Sequence, residues 1–515
     1  MELYPYVRVG LCLVTETTGA PEAGRDHSIL AALKSPRRLR TETLAGLVVA
    51  LALIPEAIAF SIIAGVDPRV GLFASFTMAV AIAFLGGRPA MISAATGAIA
   101  LVVAPISREY GLDYLIATVI LGGLIQVVLG LVGVAKLMRF IPRSVMIGFV
   151  NALAILIFTS QIPHLTDVPW AVYPLAAAGL LIIFLFPKLT KVIPAPLVAI
   201  VVLTVITVFA AIAVPTVGDE GELPDSLPSL LIPDVPWTLE TLRIIFPFAL
   251  TMALVGLLES LLTAKLVDDI TDTHSNKTRE SWGQGAANVI TGFFGGMGGC
   301  AMIGQTMINV KASGARTRLS TFLAGVFLLI LVVVLGDVVA VIPMAALVAV
   351  MVFVSWATFD WHSIAPATLR RMPKSETTVM AATVVVTVWT HNLAYGVIVG
   401  VIVAMVLFAR RVAHFTSVTR QDTGDDDGQR VYQVEGELFF ASSNDLVYQF
   451  DYTGDPEDIV IDVSKAHIWD ASTVAALDAV QTKYESRGKS VTIVGMNPDS
   501  AERHGRLSGS LGEGH

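Results

Sequence analysis

Two carboxylates stand alone in long apolar stretches. Glu56 is the only charged residue between Thr43 and Val66, and Glu259 is the only one between Ile244 and Ala264. An ionised carboxylate at the centre of a bilayer costs about 2.5 to 3.5 kcal/mol, so such a residue is by default a candidate for ion or proton handling. Pro55 removes a helix hydrogen bond beside Glu56, which makes Glu56 the first choice for a proton carrier. Glu259 is expected either to share that proton or to hold a hydrogen bond to a neighbouring helix. A second pattern accompanies the first. Gly86-Gly87-Arg88-Pro89-Ala90-Met91-Ile92 is echoed by Gly298-Gly299-Cys300-Ala301-Met302-Ile303, and each opens a stretch that is short for a membrane crossing. The offsets are 203 residues for the glutamates and 211 for the paired Met residues. Two half-length helices that start near the bilayer centre would aim unpaired N–H groups and positive dipole ends at one point, which suits an anion without any Lys or Arg. Ser93, Ala94, Ala95, Thr96 and Gly97 would let a solute approach the backbone, and Gln305 and Thr306 would add side-chain hydrogen bonds. A carboxyl group beside a bound anion is driven to its uncharged form by burial and by like-charge repulsion, so proton and anion are expected to bind together.

The elements that must position these groups follow from composition. Of 515 residues, 54% are hydrophobic and only 15% charged, with a mean hydropathy of +0.72, which excludes an ordinary soluble enzyme. Hydropathy places crossings at 43–65, 70–85, 90–105, 112–134, 143–161, 171–187 and 195–214. A second seven fall at 245–267, 283–295, 300–311, 319–335, 338–355, 375–390 and 394–409. With both termini cytoplasmic, 21 Lys and Arg fall on inner connections and three, Arg69, Arg108 and Arg243, on outer ones, as the positive-inside rule requires. Seven crossings per half is odd, so a repeat must be inverted, with a binding site between the halves. The loop 215–243, rich in Pro and acidic residues, is expected to be a hinge between them. The first 26 residues are expected to be a disordered or non-native start. Cys12 and Cys300 are too few for a disulfide framework, and no metal-site spacing or cofactor motif is present. Net acidity lies after Arg411, with 8 basic against 18 acidic residues, and nucleic-acid binding has no support.

The chain resembles the SulP family, the sulfate permeases and related anion exchangers. The resemblance rests on Ile54-Pro55-Glu56-Ala57-Ile58-Ala59-Phe60, Ala64-Gly65-Val66-Asp67-Pro68-Arg69-Val70-Gly71-Leu72, Thr96-Gly97-Ala98 and the segment 309–320 with Gly314-Ala315-Arg316-Thr317-Arg318. It implies an α-helical membrane protein of 14 transmembrane segments in a 7+7 inverted repeat. Crossings 1–4 and 8–11 would form a core, crossings 5–7 and 12–14 a gate, and transport would follow an elevator-like movement of the core. It places Glu56, Phe60, Thr96, Gly97, Gln305 and Thr306 beside the anion. Glu259 and Thr263 occupy positions where sodium-coupled bicarbonate members hold the cation with an Asp and a Thr. The longer acid here argues against carrying sodium binding over. A Ser often replaces Gln305 in animal members, so chloride preference does not transfer. Family members commonly form homodimers.

After the crossings the pattern changes to a small α/β domain. Strands are expected at 431–435, 437–440, 459–463 and 491–494 and a helix at 473–484. Val434-Glu435-Gly436-Glu437-Leu438-Phe439-Phe440 and Ile461-Asp462-Val463-Ser464 resemble the STAS module that follows SulP membrane domains. Ser472 is expected to cap the helix that follows it. The expected division is a cytoplasmic segment 1–39, a transport domain 40–411, a polar linker 412–430, a STAS domain 431–505 and a disordered tail 506–515. The function expected is a plasma-membrane symporter of protons and a small divalent anion, a C4-dicarboxylate or sulfate, with Ser93 among the groups lining the site. Sodium-coupled bicarbonate transport, an uncoupled channel and a STAS-mediated sensor that binds a cytoplasmic partner are the alternatives.

Overall fold

Long apolar runs bounded by Pro and Gly become helices in the computed structural model, which describes residues 33–134, 136, 141–189, 195–413, 416–421 and 429–509. The chain divides into two compact units, one ending at Val401 and the other beginning at Ile402. The first helix, α1 (Pro36–Ala64), starts on a Pro at its first turn and stops where Gly65 adopts a left-handed conformation with φ of 74°. Then follow α2 (Pro68–Leu85), a two-residue strand β1 (Ser93–Ala94), α3 (Gly97–Tyr110), α4 (Leu112–Val132), α5 (Arg143–Thr159), α6 (Val172–Leu185) and α7 (Ala195–Phe209). The second half comprises α8 (Leu239–Thr271), α9 (Lys277–Phe293), β2 (Cys300–Ala301), α10 (Ile303–Met307), α11 (Arg318–Val334), α12 (Gly336–Ala340), α13 (Met344–Thr358), α14 (Pro366–Arg371), α15 (Lys374–Thr390) and α16 (Leu393–Ala413).

Each of the fourteen expected crossings overlaps one of these elements. Six helices among the described residues are individually long and apolar enough to span a membrane, and four more are apolar but shorter. The helices pack in two groups. α1 to α4 lie against α8, α9 and α11, whereas α5 to α7 lie with α13 and α15. Glycine makes the closest seam possible: a Cβ at Gly123 of α4 would come 2.7 Å from the carbonyl oxygen of Gly285 on α9. The spaced glycines of α16 serve the same purpose, Gly396 facing Thr387 and Gly400 facing Thr383 of α15.

Several expectations are corrected. The third crossing does not begin as helix at residue 90, because 91–96 is extended and α3 starts only at Gly97. Segment 1–39 already contains the first turn of α1, while residues 1–32 lie outside the described residues. The loop 215–243 is tied to both helix groups: Thr216 pairs with Pro343, and the Arg69 amide donates to the Glu222 carbonyl at 3.1 Å. α8 takes over at Leu239, before the loop was expected to end.

The second unit carries a four-stranded sheet ordered β3 (Ser417–Gln421), β4 (Gln429–Leu438), β5 (Asp458–Ile468), β6 (Ser490–Val494), with β3 antiparallel and the rest parallel. α17 (Phe440–Leu446), α18 (Ala471–Glu485) and α19 (Pro498–Leu507) complete it. Part of the expected linker is therefore strand β3, while 422–428 lie outside the described residues. The two strands expected around Gly436 are one strand, in which Gly436 pairs with Ala466 and a bulge shifts the register between Gln433 and Glu435. Asp470, not Ser472, caps α18, accepting from the Thr473 amide at 3.1 Å. Helix α19, capped by Asn497, runs two residues into the expected tail 506–515; residues 510–515 lie outside the described residues.

Candidate functional site

β1 and β2 pair antiparallel, Ser93 opposite Ala301 and Ala94 opposite Cys300. The Met302 amide donates to the Ile92 carbonyl at 2.9 Å, extending the pairing by one step. Because α3 and the run 303–312 follow these strands directly, they leave the short shared pair in opposite directions, with one amino end at each end of it. α3 has 14 residues, about 21 Å at 1.5 Å per residue, shorter than a bilayer core. The second run is an α turn of five residues continued by a π turn (Ile308–Ala312).

Neighbouring helices hold the paired segments through single polar side chains. Asn288 of α9 clamps Gly299 on both sides, accepting from its amide at 2.8 Å and donating to its carbonyl at 3.0 Å, and also donates to Gln126 of α4 at 2.9 Å. Ser260 of α8 accepts from the Ala301 amide at 3.1 Å, and Ser75 of α2 accepts from the Ala95 amide at 3.2 Å. On the first repeat's side the fixing group is charged. One oxygen of Glu280 accepts from the Gly87 and Arg88 amides at 2.7 and 2.9 Å, and the other accepts from Gln284. The Arg88 guanidinium pairs with Asp268, which Lys277 also contacts.

Glu56 and Phe60 share one face of α1, four residues apart. Phe60 is buried against Gly97, where a Cβ would lie 2.9 Å from its ring, so the start of α3 requires glycine. The Glu56 carboxyl group neighbours the Gln305 side chain, which brings α1 to the start of α10. Thr96 caps α3 by accepting from the Ile99 amide at 3.3 Å, and its hydroxyl lies 3.1 Å from the Cys300 sulfur. The Cys300 thiol donates to Glu259 at 2.9 Å. A chain of contacts thus runs from α8 through β2 to the cap of α3.

Other expected residues are already occupied. The Ser93 hydroxyl accepts from Gln284 at 2.6 Å on the α9 side. The Thr306 hydroxyl accepts from the Ile92 amide at 3.0 Å and so ties the two extended segments together. The Thr263 hydroxyl donates to the backbone carbonyl of Glu259 at 2.8 Å, not to its carboxylate. No cluster of three or more His, Cys, Asp and Glu suited to a metal occurs among the described residues. A cavity of about 330 Å³ bordered by Gly65, Asp67, Ser107, Gly111 and Glu220 lies at the far end of α1 and does not include Glu56.

Sequence reasoning overlooked three groups of this assembly: Cys300, Gln284 and Glu280. Glu280 and Gln284 fell in or near a connection because the ninth crossing was started at 283, whereas α9 begins at Lys277 and buries both. Only the alternation of small residues along α9 could have signalled a helix there.

The sulfate permease family matches residues 39–173 and 164–383, and the STAS domain family matches 419–508. The chain is 54% identical over 462 residues to "Putative sulfate transporter YbaR" of Bacillus subtilis (strain 168), covering 90% of this chain and 95% of that protein. It is 26% identical to the bicarbonate transporter BicA of Picosynechococcus sp. (strain ATCC 27264 / PCC 7002 / PR-6) over 92% of this chain and 91% of that one. Among solved structures, the transmembrane domain of a cyanobacterium bicarbonate transporter BicA superposes with a TM-score of 0.62 at 25% identity, covering 72% of this chain and 98% of that one. Murine Slc26a9 in the inward-facing state shares the fold at a TM-score of 0.78 and 18% identity, covering 91% of this chain and 87% of that one. The meeting of two short helices at paired strands, the matched families and these relatives together establish that the chain belongs to the sulfate permease family of multi-pass membrane anion transporters and carries a C-terminal STAS domain.

Proposed function

We propose that the protein is a secondary active transporter that moves a small divalent anion together with protons across the plasma membrane, with both termini cytoplasmic and as a homodimer. The observation that carries this reading is the antiparallel pairing of Ser93–Ala94 with Cys300–Ala301, which sets the starts of two oppositely directed helical runs side by side. Backbone N–H groups at such starts favour negative charge. The anion site comprises Thr96, Gly97, Gln305 and the face of α1 that carries Glu56 and Phe60. Ser93 and Thr306 support the paired segments from behind. Sulfate is the leading substrate, because YbaR is named for it, and C4-dicarboxylates come second, because Gln305 and a protonated Glu56 could both donate to a carboxylate.

Glu56 carries the coupling. An anion arriving beside an ionised Glu56 is repelled, whereas the protonated residue becomes a donor, so loading of the proton and of the anion reinforce one another. Glu259 shares the proton or holds α8 to β2 through Cys300. An elevator-like displacement of α1 to α4 with α8 to α11 against the remaining helices would then expose the loaded site to the other side. Bicarbonate, which BicA is named for, is the competing substrate, with sodium at Glu259 and Thr263 as the competing coupling ion.

Uptake of labelled sulfate, succinate and bicarbonate into liposomes under imposed pH or sodium gradients tests the reading. An inward proton gradient should drive sulfate above equilibrium, and Glu56→Gln should reduce that accumulation by about tenfold or more, equivalent to about 1.4 kcal/mol of lost coupling. Proton-driven accumulation that persists in Glu56→Gln would sink the assignment of the coupling group. Accumulation driven only by sodium would replace the coupling ion, and equilibration without accumulation would leave a channel.

A further inference from the structure

We propose that the connection between α7 and α8 is an in-plane membrane anchor whose outward side chains lie in the uncharged headgroup and acyl boundary of the bilayer. The segment has two faces. On one, Leu223, Leu231 and Val235 pack against the core of the membrane unit. On the other, Leu227, Leu230, Ile232 and Trp237 are exposed to 70%, 69%, 70% and 89%. Four large apolar side chains within eleven residues would be an unusual gift to water. Pro224, Pro228, Pro233 and Pro236 keep the chain extended, so the two faces stay distinct.

Its height is fixed by what it touches. The Arg69 amide at the start of α2 donates to the Glu222 carbonyl, and Arg69 also forms an ion pair with Glu222. The Asp234 amide donates to Asp113 at the start of α4 at 3.2 Å, and the Leu231 amide donates to the carbonyl of Phe293 at the end of α9 at 2.7 Å. Ends of spanning helices mark the interface, the level at which Trp is enriched. The exposed face also continues into α8, where Leu239, Leu242 and Phe246 are exposed to 63%, 42% and 46% at spacings of three and four residues. A stripe on a spanning helix that points away from its neighbours faces lipid, and the loop prolongs it.

Charge selects the kind of surface. The segment carries Asp219, Glu220, Glu222, Asp225 and Asp234, with Glu240 just beyond it, and no Lys or Arg occurs between Lys191 and Arg243. Attraction to anionic lipid is therefore excluded as the driving force, and the contact is apolar insertion beneath neutral headgroups. A second copy of the chain is the other occupant such a face could have. Continuity with a spanning helix favours lipid.

The test places an environment-sensitive fluorophore on Leu230→Cys and, separately, on Ile232→Cys, in full-length Cys12→Ser protein reconstituted into phosphatidylcholine liposomes. Cys300 is fully buried and remains unlabelled. Exposed Glu485→Cys in the second unit serves as the water-exposed reference. Both loop labels should emit blue of the reference, lose about half their intensity or more to a lipid-borne quencher, and resist aqueous iodide. Depth should be unchanged when a third of the lipid is made anionic. Quenching by iodide at both loop positions would overturn the proposal. Labels shielded from both quenchers, together with cross-linking between copies at Leu230→Cys, would overturn it in favour of a subunit contact.

Discussion

The two extended segments that meet at the centre look alike in sequence and are finished differently. The first is set by charge: Glu280 holds the Gly87 and Arg88 amides, and Arg88 reaches Asp268. The second is set by a neutral amide, Asn288, which grips Gly299 at both its N–H and its C=O. The helices that follow differ as well. Thr96 caps α3 with its own side chain, whereas α10 starts after Met302 with no side-chain cap. Each glutamate also has a different neighbour, Glu56 the Gln305 side chain and Glu259 the Cys300 thiol, which donates to it. A repeat therefore conserves the geometry of an opening while each copy is free to choose how it is fixed. The uncapped side keeps its backbone donors available, and it is the side that Glu56 faces.

Breaking the charged support should do the most damage. Glu280→Ala leaves two buried backbone amides and Gln284 without their acceptor, a loss of about 3 kcal/mol or more, read as a fall in the detergent melting temperature. The neutral support should cost less to remove. Asn288→Ala leaves both polar groups of Gly299 unmet and should cost about 2 kcal/mol in the same assay. If the two variants melt alike, the contrast between charged and neutral fixing has no energetic content. At the cap, Thr96→Val should cost about 1 kcal/mol while Thr96→Ser keeps most of the stability, because only the hydroxyl accepts from Ile99. Smallest of all should be Cys300→Ser, which retains a donor to Glu259 and should change stability by less than about 1 kcal/mol, whereas Cys300→Ala should cost more. Equal melting of Ser and Ala at this position would remove the thiol's hydrogen bond from the account of how Glu259 is held.

Much of the membrane unit could be read in advance because each helix announces itself within its own residues. Gly65 ends α1, and apolar length identifies α4 and α8 without reference to any neighbour. The glycine openings and the lone glutamates were likewise visible as anomalies in an apolar run. Hidden were the relations between segments. Nothing local tells Ser93 that Gln284 will be its partner 191 residues away, or Thr306 that its hydroxyl will serve Ile92. Glu280 was passed over because helix α9 is polar for a buried helix, and packing against α2 and α4 is what buries it. In the second unit the errors were of the same kind. β3 forms because β4 offers it an edge, and α19 forms because Asn497 caps it. The segment that forms β3 has no strong apolar periodicity of its own.

The amino-acid order by itself determined that this chain must lie in a membrane, where along it the apolar crossings fall, and that two carboxylates would be carried into an apolar interior. Those outcomes depend on transfer energies and backbone stereochemistry that each segment meets alone. Tertiary structure decided which amides and hydroxyls are consumed in holding the paired strands and which stay free at the starts of α3 and α10. That choice depends on hydrogen bonds between residues some two hundred positions apart, and these exist only once the helices have packed.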